Sequence, residues 1–530
     1  MVALAGCGGQ ETAQNTTTGQ LFARGIDQIA DLYIEPISGQ KLVFVGAKNL
    51  MKLDNRLGVT IGGDVRDRDQ VTLTYDGIPA ANYHVDPDIA GRGGGEIVAG
   101  LIEAAKRVSS RVAALPEETI DQAVFDGMTG ALDRFSRYSA PDDARDQRAA
   151  RDGFGGIGVT LETSSNNFGI AAVSEQSPAE RAGIKVGDKI VAIDGTPVAG
   201  RRAAEIIHQL RGPIGTIVGL TIERPGGPGT HEYRVERALV VVPTVTVARD
   251  GNIAIFKIAS FNQSTTQRLT EGLVAAQRQA NGHLAGIIID LRGDPGGLLD
   301  QAVSLSDLFI AKGPIIATVG RHPASHQYFA ATGKSIAPTT PLAVLVNGGS
   351  ASASEIVAAA LQDVGRAVVI GSSSYGKGTV QTVMRLPNDG ELTLTWARLV
   401  TPSGYFLQQH GVVPTLCTSG LSDTESSLDA ALHHTADPGT APGAIDASRP
   451  RASLDDPSWS ALRRTCPALT TTPALDLKIA ERVLSDPARY TAALGAIHPA
   501  GMSALGPQTA TPTPALTALG GGLSSTPRTP

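Results

Sequence analysis

Ser350, Ser352 and Ser354 alternate through Asn347-Gly-Gly-Ser-Ala-Ser-Ala-Ser-Glu-Ile356, and Lys377 stands between two glycines in Tyr375-Gly-Lys-Gly-Thr-Val-Gln381. A serine hydroxyl is a weak nucleophile and needs a base to take its proton. A helix opening at the serines would aim backbone N–H groups and its dipole at developing negative charge. A free lysine titrates near ~10.4, and bringing it to neutral pH takes roughly 4 kcal/mol of differential stabilisation, which burial supplies. Tyr375 and Val380 give Lys377 apolar company, and the flanking glycines let other backbone approach closely. Gln381 lies four residues on, on the same side in either a strand or a helix, so its amide is placed to orient the amine.

Structural alternatives stand beside this reading. Serine is a common helix N-cap, and Ser352 or Ser354 fits that role with Glu355 nearby. A lysine in a glycine-rich turn is most often a solvated surface residue. The local sequence does not choose among the three serines. Histidine is the weaker base: His322 and His326 flank a loop, His433-His434 lie in a loose stretch, and no Gly-x-Ser-x-Gly elbow is present. Asp290-Leu-Arg-Gly-Asp-Pro-Gly-Gly-Leu298 follows an apolar run, and its glycines are placed to offer an N–H to an oxyanion, or form a plain strand-to-helix turn.

The elements around these residues read as α/β. Apolar runs such as Ile287-Ile-Ile289 and Leu342-Ala-Val-Leu-Val346 predict strands buried on both faces. Strands are expected at 253–256, 286–290, 314–319 and 342–346, with helices at 263–281, 298–309, 352–362 and around Leu428. Residues 151–240 have a different character: Phe154-Gly-Gly-Ile-Gly-Val159 is glycine-rich, short strands follow at 170–173, 186–193 and, as the last, 218–222, and helices are expected after Ser177 and over 203–210. A glycine-rich loop beside an open strand edge suits capture of a peptide end, with backbone N–H groups taking the carboxylate.

Ahead of this, helical spacing is read from about residue 21, over 43–53, 97–115 and 118–135, interrupted by a strand-like stretch at 58–95 with an Asp76-Gly77 turn. A charged run to Arg151 closes the region. Residues 421–500 loosen, with one helix over 474–484, and the Pro/Thr/Ala/Gly-rich 501–530 is expected to be disordered.

The composition bounds the function. At 530 residues, about two to four domains are expected. A net charge of −6 without basic runs argues against a nucleic-acid partner, and no run approaches a membrane-spanning length. Cys7, Cys417 and Cys466 make no metal pattern; the latter two either pair, in an oxidising compartment, or stay as thiols. Leu4-Ala5-Gly6-Cys7 resembles a bacterial lipobox, and Cys7 would be the lipidated residue; with six residues before it, the match is either a shortened leader or chance.

Taken together, Gly349-Ser-Ala-Ser-Ala-Ser-Glu-Ile356, Ala360-Leu-Gln-Asp363, Tyr375-Gly-Lys-Gly-Thr-Val-Gln381, Thr401-Pro-Ser-Gly404, Asp290-Leu-Arg-Gly-Asp-Pro-Gly-Gly297, Phe261-Asn-Gln263 and Gly411-Val-Val-Pro414 resemble the carboxyl-terminal processing peptidases, or tail-specific proteases. The resemblance covers about residues 21–57 and 97–415. It implies a PDZ domain at 151–240 and a crotonase/ClpP-like Ser/Lys peptidase core at 241–420, in a multidomain α/β chain whose other parts, read from the residues themselves, are a leader or lipoprotein tether at 1–20, a mostly helical region at 21–150, an extension at 421–500 and the tail.

The family's nucleophile stands 25 residues before its lysine, which selects Ser352, with Lys377 as general base and Gln381 as its partner. The resemblance further implies an oxyanion hole from the N–H of Ala353 and of Gly296 or Gly297, and a PDZ carboxylate loop of Phe154, Gly155, Gly156, Ile157 and Gly158. No metal or cofactor is implied. The expected partners are proteins or peptides with an exposed C-terminus, an activator or adaptor protein, and a lipid anchor through Cys7, in the bacterial periplasm or envelope. Three departures stand out: an insertion from Gly58 to Gly95, Thr415 where the family often has Asp, and an extra segment from Cys417 to Pro473. The competing reading is a non-catalytic, PDZ-containing peptide-binding scaffold.

Overall fold

A computed structural model of the chain describes residues 8–62, 69–164, 167–227, 229–433, 457–468 and 472–495. Cys7 and the 501–530 tail lie outside the described residues. The chain divides into two compact units, one of Pro36–Leu305 with the residues up to Asp31 and Thr382–Leu394, the other of Leu32–Glu35, Ser306–Gln381 and the residues from Thr395 on.

The first unit begins with a helix, Gly8–Leu32, that buries Leu21, Phe22, Ile26 and Ile29. The helix expected from Ile97 starts earlier, as Gly91–Val108, and takes in a run of glycines that propensity alone would exclude. Packing explains the difference. A Cβ on Gly95 would meet the Gly19 carbonyl oxygen at 2.2 Å, and one on Gly91 the Ala23 carbonyl oxygen at 2.3 Å, so only glycine lets the two helices touch backbone to backbone. The 58–95 stretch contains three antiparallel strands, Leu57–Ile61, Gln70–Tyr75 and Ile78–His84, with positive φ at Asp76 and Gly77 in the last turn. The charged run before Arg151 is a helix, Pro141–Asp152, whose Arg148 and Arg151 reach the buried Glu391 at 2.9 and 3.0 Å. Its polarity on most faces hid the helical period.

Asp121 lies on the Glu117–Thr129 helix, whose Phe125 packs between Phe22 and Tyr138. Burial, then the Glu117 charge, pushes the Asp121 carboxyl up to about 6. Its folded value exceeds the unfolded one, so the folded state holds the proton more tightly. Stability is therefore greatest below the unfolded value and falls as pH rises through about 6. Asp121→Asn is expected to raise stability at pH 8 by on the order of 2–3 kcal/mol and to flatten the profile between about pH 4 and 6. Urea unfolding at pH 4, 6 and 8 checks it; a variant that keeps the wild-type slope sinks the assignment.

The next part of the unit is a sheet in the order Thr230–Glu236, Ile217–Glu223, Lys189–Ile193, Asn167–Val173, Val159–Ser164. Its core gathers Ile157, Phe168, Ile190, Ile206, Leu220 and Ile222, with the Ala203–Leu210 helix contributing Ile206 and Leu210. The 217–223 strand is not the last. Thr230–Glu236 pairs with it, and was missed because a single buried side chain, Val235, marks its inner face. Strands Val245–Asp250 and Ile253–Ile258 are antiparallel, and the latter runs parallel to Gly286–Asp290.

In the second unit, Leu342–Val346, Val368–Gly371 and Leu416–Cys417 form a parallel set, and Leu342–Val346 is buried throughout, as its apolar run predicts. Pro314–Val319 pairs antiparallel with Gln327–Ala330 and with the end of Glu391–Val400. The expected helices appear as Ala353–Asp363, Glu425–His433 and Pro473–Leu484; Pro457–Thr465 and Pro487–Gly495 were not foreseen.

Candidate active site

The three serines occupy one strand-to-helix turn but have different surroundings. Ser350 is buried and closes the turn: its Oγ accepts the Asn347 N–H at 3.0 Å, and its carbonyl accepts the Tyr375 N–H at 2.9 Å. Ser354 is buried inside the first helical turn. Ser352 is half-buried and is the helix N-cap, with φ +56° and ψ −113°. For a side chain larger than glycine's, such a backbone costs about 1–3 kcal/mol and persists only where the surroundings impose it. A strained serine between strand and helix is the conformation of a nucleophile elbow. The positions two residues either side, which are glycine in a Gly-x-Ser-x-Gly elbow, hold the small Ser350 and Ser354.

Lys377 follows the Val368–Gly371 strand and precedes Thr379–Arg385. Its side chain is half-buried. Both neighbouring glycines are required. Gly376 has φ +89°, and a Cβ on Gly378 would lie 1.8 Å from the Gln408 nitrogen. The Lys377 loop is therefore pressed against residues 407–409, where the Gln409 N–H reaches the Gly376 carbonyl at 2.9 Å.

Sequence reasoning gave Glu355 only a capping role. It is fully buried, and its two oxygens join the serine turn to the lysine loop. Oε2 accepts the Ser352 N–H at 2.8 Å and the Lys377 N–H at 2.9 Å. Oε1 accepts the Ser374 hydroxyl at 2.5 Å and the Gly376 N–H at 2.6 Å. Burial pushes the Glu355 carboxyl above its ordinary range, and these four donors pull the other way. The Ser-x-x-Glu spacing was the available signal, since it sets the glutamate back onto the N-cap.

Gln381 donates its amide N–H groups to Thr379 Oγ1 at 2.9 Å and Thr395 Oγ1 at 3.2 Å. That pair of bonds fixes which way the amide faces and turns its oxygen away from the threonines. Ala353 is the first residue of its helix, so helix geometry provides its N–H no intrahelical acceptor. Gly296 and Gly297 belong to the first unit, where the Gly296 N–H donates to Asp294 Oδ1 at 2.8 Å.

The glycine-rich stretch at 154–158 is only partly a loop. Phe154, Gly155 and Gly156 form a short strand paired with Ala238–Val240, and Ile157 enters the core, which leaves Ile157 and Gly158 to link it to the Val159–Ser164 strand. Val159–Ser164 stands at one end of the sheet order among the described residues. Of the rival histidines, His322 Nδ1 accepts the Ala324 N–H and His326 Nε2 bonds the Gly320 carbonyl, both within their own loop. Cys417 and Cys466 are joined in a disulfide, the first of the two alternatives. Thr415 is buried and accepts from Gln362 Nε2 at 3.1 Å, a packing role.

Residues 252–417 match the model of peptidase family S41, and residues 169–224 match that of the PDZ domain. The chain is 38% identical over 313 residues to a carboxy-terminal-processing protease of Bartonella bacilliformis, covering 58% of this chain and 72% of that one. It is 35% identical over 305 residues to the carboxy-terminal processing protease CtpA of Bacillus subtilis, covering 56% of this chain and 64% of that one. A probable CtpA-like serine protease of Staphylococcus saprophyticus is 33% identical over 301 residues, with 56% of this chain and 60% of that one covered. With a strained serine, a glycine-flanked lysine and a PDZ sheet in the matched stretches, the chain belongs to peptidase family S41, a family of serine-type peptidases.

Proposed function

We propose that the chain cleaves proteins and peptides near their C-termini, with Ser352 as nucleophile and Lys377 as general base. The observation that carries this reading is Glu355 Oε2, which accepts N–H groups from the turn bearing Ser352 and the loop bearing Lys377. Neutral Lys377 takes the Ser352 hydroxyl proton as Oγ attacks the peptide carbonyl carbon. The Ala353 N–H faces the charge that develops on the carbonyl oxygen. The resulting ammonium then protonates the leaving amine, the C–N bond breaks, and an acyl-enzyme remains. Water, deprotonated by the same amine, hydrolyses the ester and frees Ser352. Gln381, with its N–H groups committed to two threonines, offers its oxygen to hold the Lys377 amine.

The PDZ sheet is assigned the free end of the substrate: the chain would add along Val159–Ser164, with its carboxylate at the Ile157-Gly158 link. The Cys417–Cys466 disulfide supports an oxidising compartment, in keeping with the cell envelope and an anchor at Cys7.

The test is a fluorogenic peptide with an apolar C-terminus, offered with a free carboxylate and as the amide. The free form is expected to be cut about 10-fold faster or more, since a charge-assisted bond to backbone N–H groups is lost on amidation. Equal rates would remove the tail-recognition part of the proposal. Binding of the free form without any cleavage would favour the scaffold.

A further inference from the structure

The Pro457–Thr465 helix lies outside the matched peptidase stretch, in the Cys417 to Pro473 segment that departs from the family pattern, yet it reaches the Lys377 loop. Trp459, Arg463 and Cys466 fall along one side at helical spacing. Trp459 is buried, with its ring 4.4 Å from that of Tyr405 and 4.8 Å from that of His410. Cys466 is joined to Cys417 at the end of the Leu416–Cys417 strand, which pairs with Val368–Gly371, the strand that leads into the Lys377 loop. The Cys466 carbonyl also accepts the Ser373 hydroxyl at 2.5 Å.

Between these anchors, Arg463 Nη2 donates to the Ser374 carbonyl at 2.9 Å and Nη1 to the His410 carbonyl. A Cβ built on Gly411 would meet Arg463 Nη1 at 2.6 Å, Ser374 Oγ at 2.7 Å and Glu355 Oε1 at 3.1 Å. Gly411 thus makes room for the guanidinium and the buried carboxylate to share one pocket. A buried carboxylate is costly without a counter-charge, and the planar arginine fork can fix two carbonyls while supplying one.

We propose that Arg463 is a positioning residue for the peptidase reaction, acting through Ser374 and Glu355 on the loop that carries Lys377, and that the Cys417–Cys466 disulfide keeps it in place. The proposal rests on the Ser352–Lys377 reading.

The experiment compares the full chain with Arg463→Gln, Arg463→Lys, Cys417→Ser/Cys466→Ser and Ser352→Ala on the free-carboxylate peptide. Folded protein is quantified by near-UV circular dichroism and thermal melting. Arg463→Gln is expected to lower kcat per folded molecule about 10- to 100-fold with KM within about twofold, because a misplaced base slows chemistry rather than binding. Arg463→Lys, which keeps the charge but not the fork, is expected to recover part of that loss. The double serine variant is expected to lose kcat in the same way, and adding Arg463→Gln to it to cost less than in the parent. Should Arg463→Gln fail to fold, Arg463→Lys and the wild type treated with dithiothreitol carry the same kcat-against-KM comparison.

An Arg463→Gln protein with wild-type kcat per folded molecule overturns the proposal, even if it melts earlier, provided Ser352→Ala is inactive. A Ser352→Ala protein that still turns over overturns the reading beneath it and the proposal with it.

Discussion

Ser352→Ala is expected to lower kcat by about 10⁴-fold or more while the protein still folds. The substitution removes the one atom proposed to bond to substrate. It leaves a half-buried position with the same left-handed backbone, so the strain persists and the melting temperature stays near wild type. Ser352→Gly provides the control. It is equally inactive, yet its backbone adopts φ +56° freely, and a gain of about 1 kcal/mol is expected. Turnover of the peptide, measured with melting temperature across the three proteins, checks both parts. A Ser352→Ala protein that cleaves at more than a thousandth of the wild-type rate would defeat the nucleophile assignment.

Glu355→Gln is expected to have the next largest effect, on rate and stability together. Four donors converge on the two carboxylate oxygens, and an amide of the same shape replaces one acceptor by a donor. Whichever way it turns, two donors lose their partner: the Ser352 and Lys377 N–H groups, or the Ser374 hydroxyl and the Gly376 N–H. An unsatisfied buried group costs about 1–3 kcal/mol, so a loss of roughly 2–5 kcal/mol is expected. A shift of the lysine loop should lower kcat about 100-fold. Urea unfolding and steady-state kinetics at one pH measure the two effects. Full activity in this variant would mean that the shared carboxylate is not what sets the dyad.

What could be seen in the sequence follows from how each segment is buried. Gly286–Asp290 and Leu342–Val346 are covered on both faces, so their apolar runs located them residue for residue. Thr230–Glu236 and Pro141–Asp152 show mostly polar faces and left little period to read. The glycines at the start of Gly91–Val108 read as a break because their role is contact with a second helix far away in sequence.

The candidate site divides in the same way. The candidate nucleophile near residue 352 and the candidate base at 377 stand out by residue type alone. The choice of Ser352 among the three alternating serines rests on the family spacing; the property that sets it apart in the structure, a positive φ, is one that composition does not express. Glu355 was half legible, as a cap. Arg463 was illegible, because the carbonyl it holds belongs to Ser374, 89 residues earlier in the chain.

The left-handed backbone at Ser352 also bears on how such a chain drifts over generations. On the proposed assignment of Ser352 as nucleophile, the glycine that would end catalysis there would also relieve the backbone strain, so loss of turnover would carry no folding penalty. A lineage that stopped using the peptidase would meet no folding barrier to becoming a binding protein.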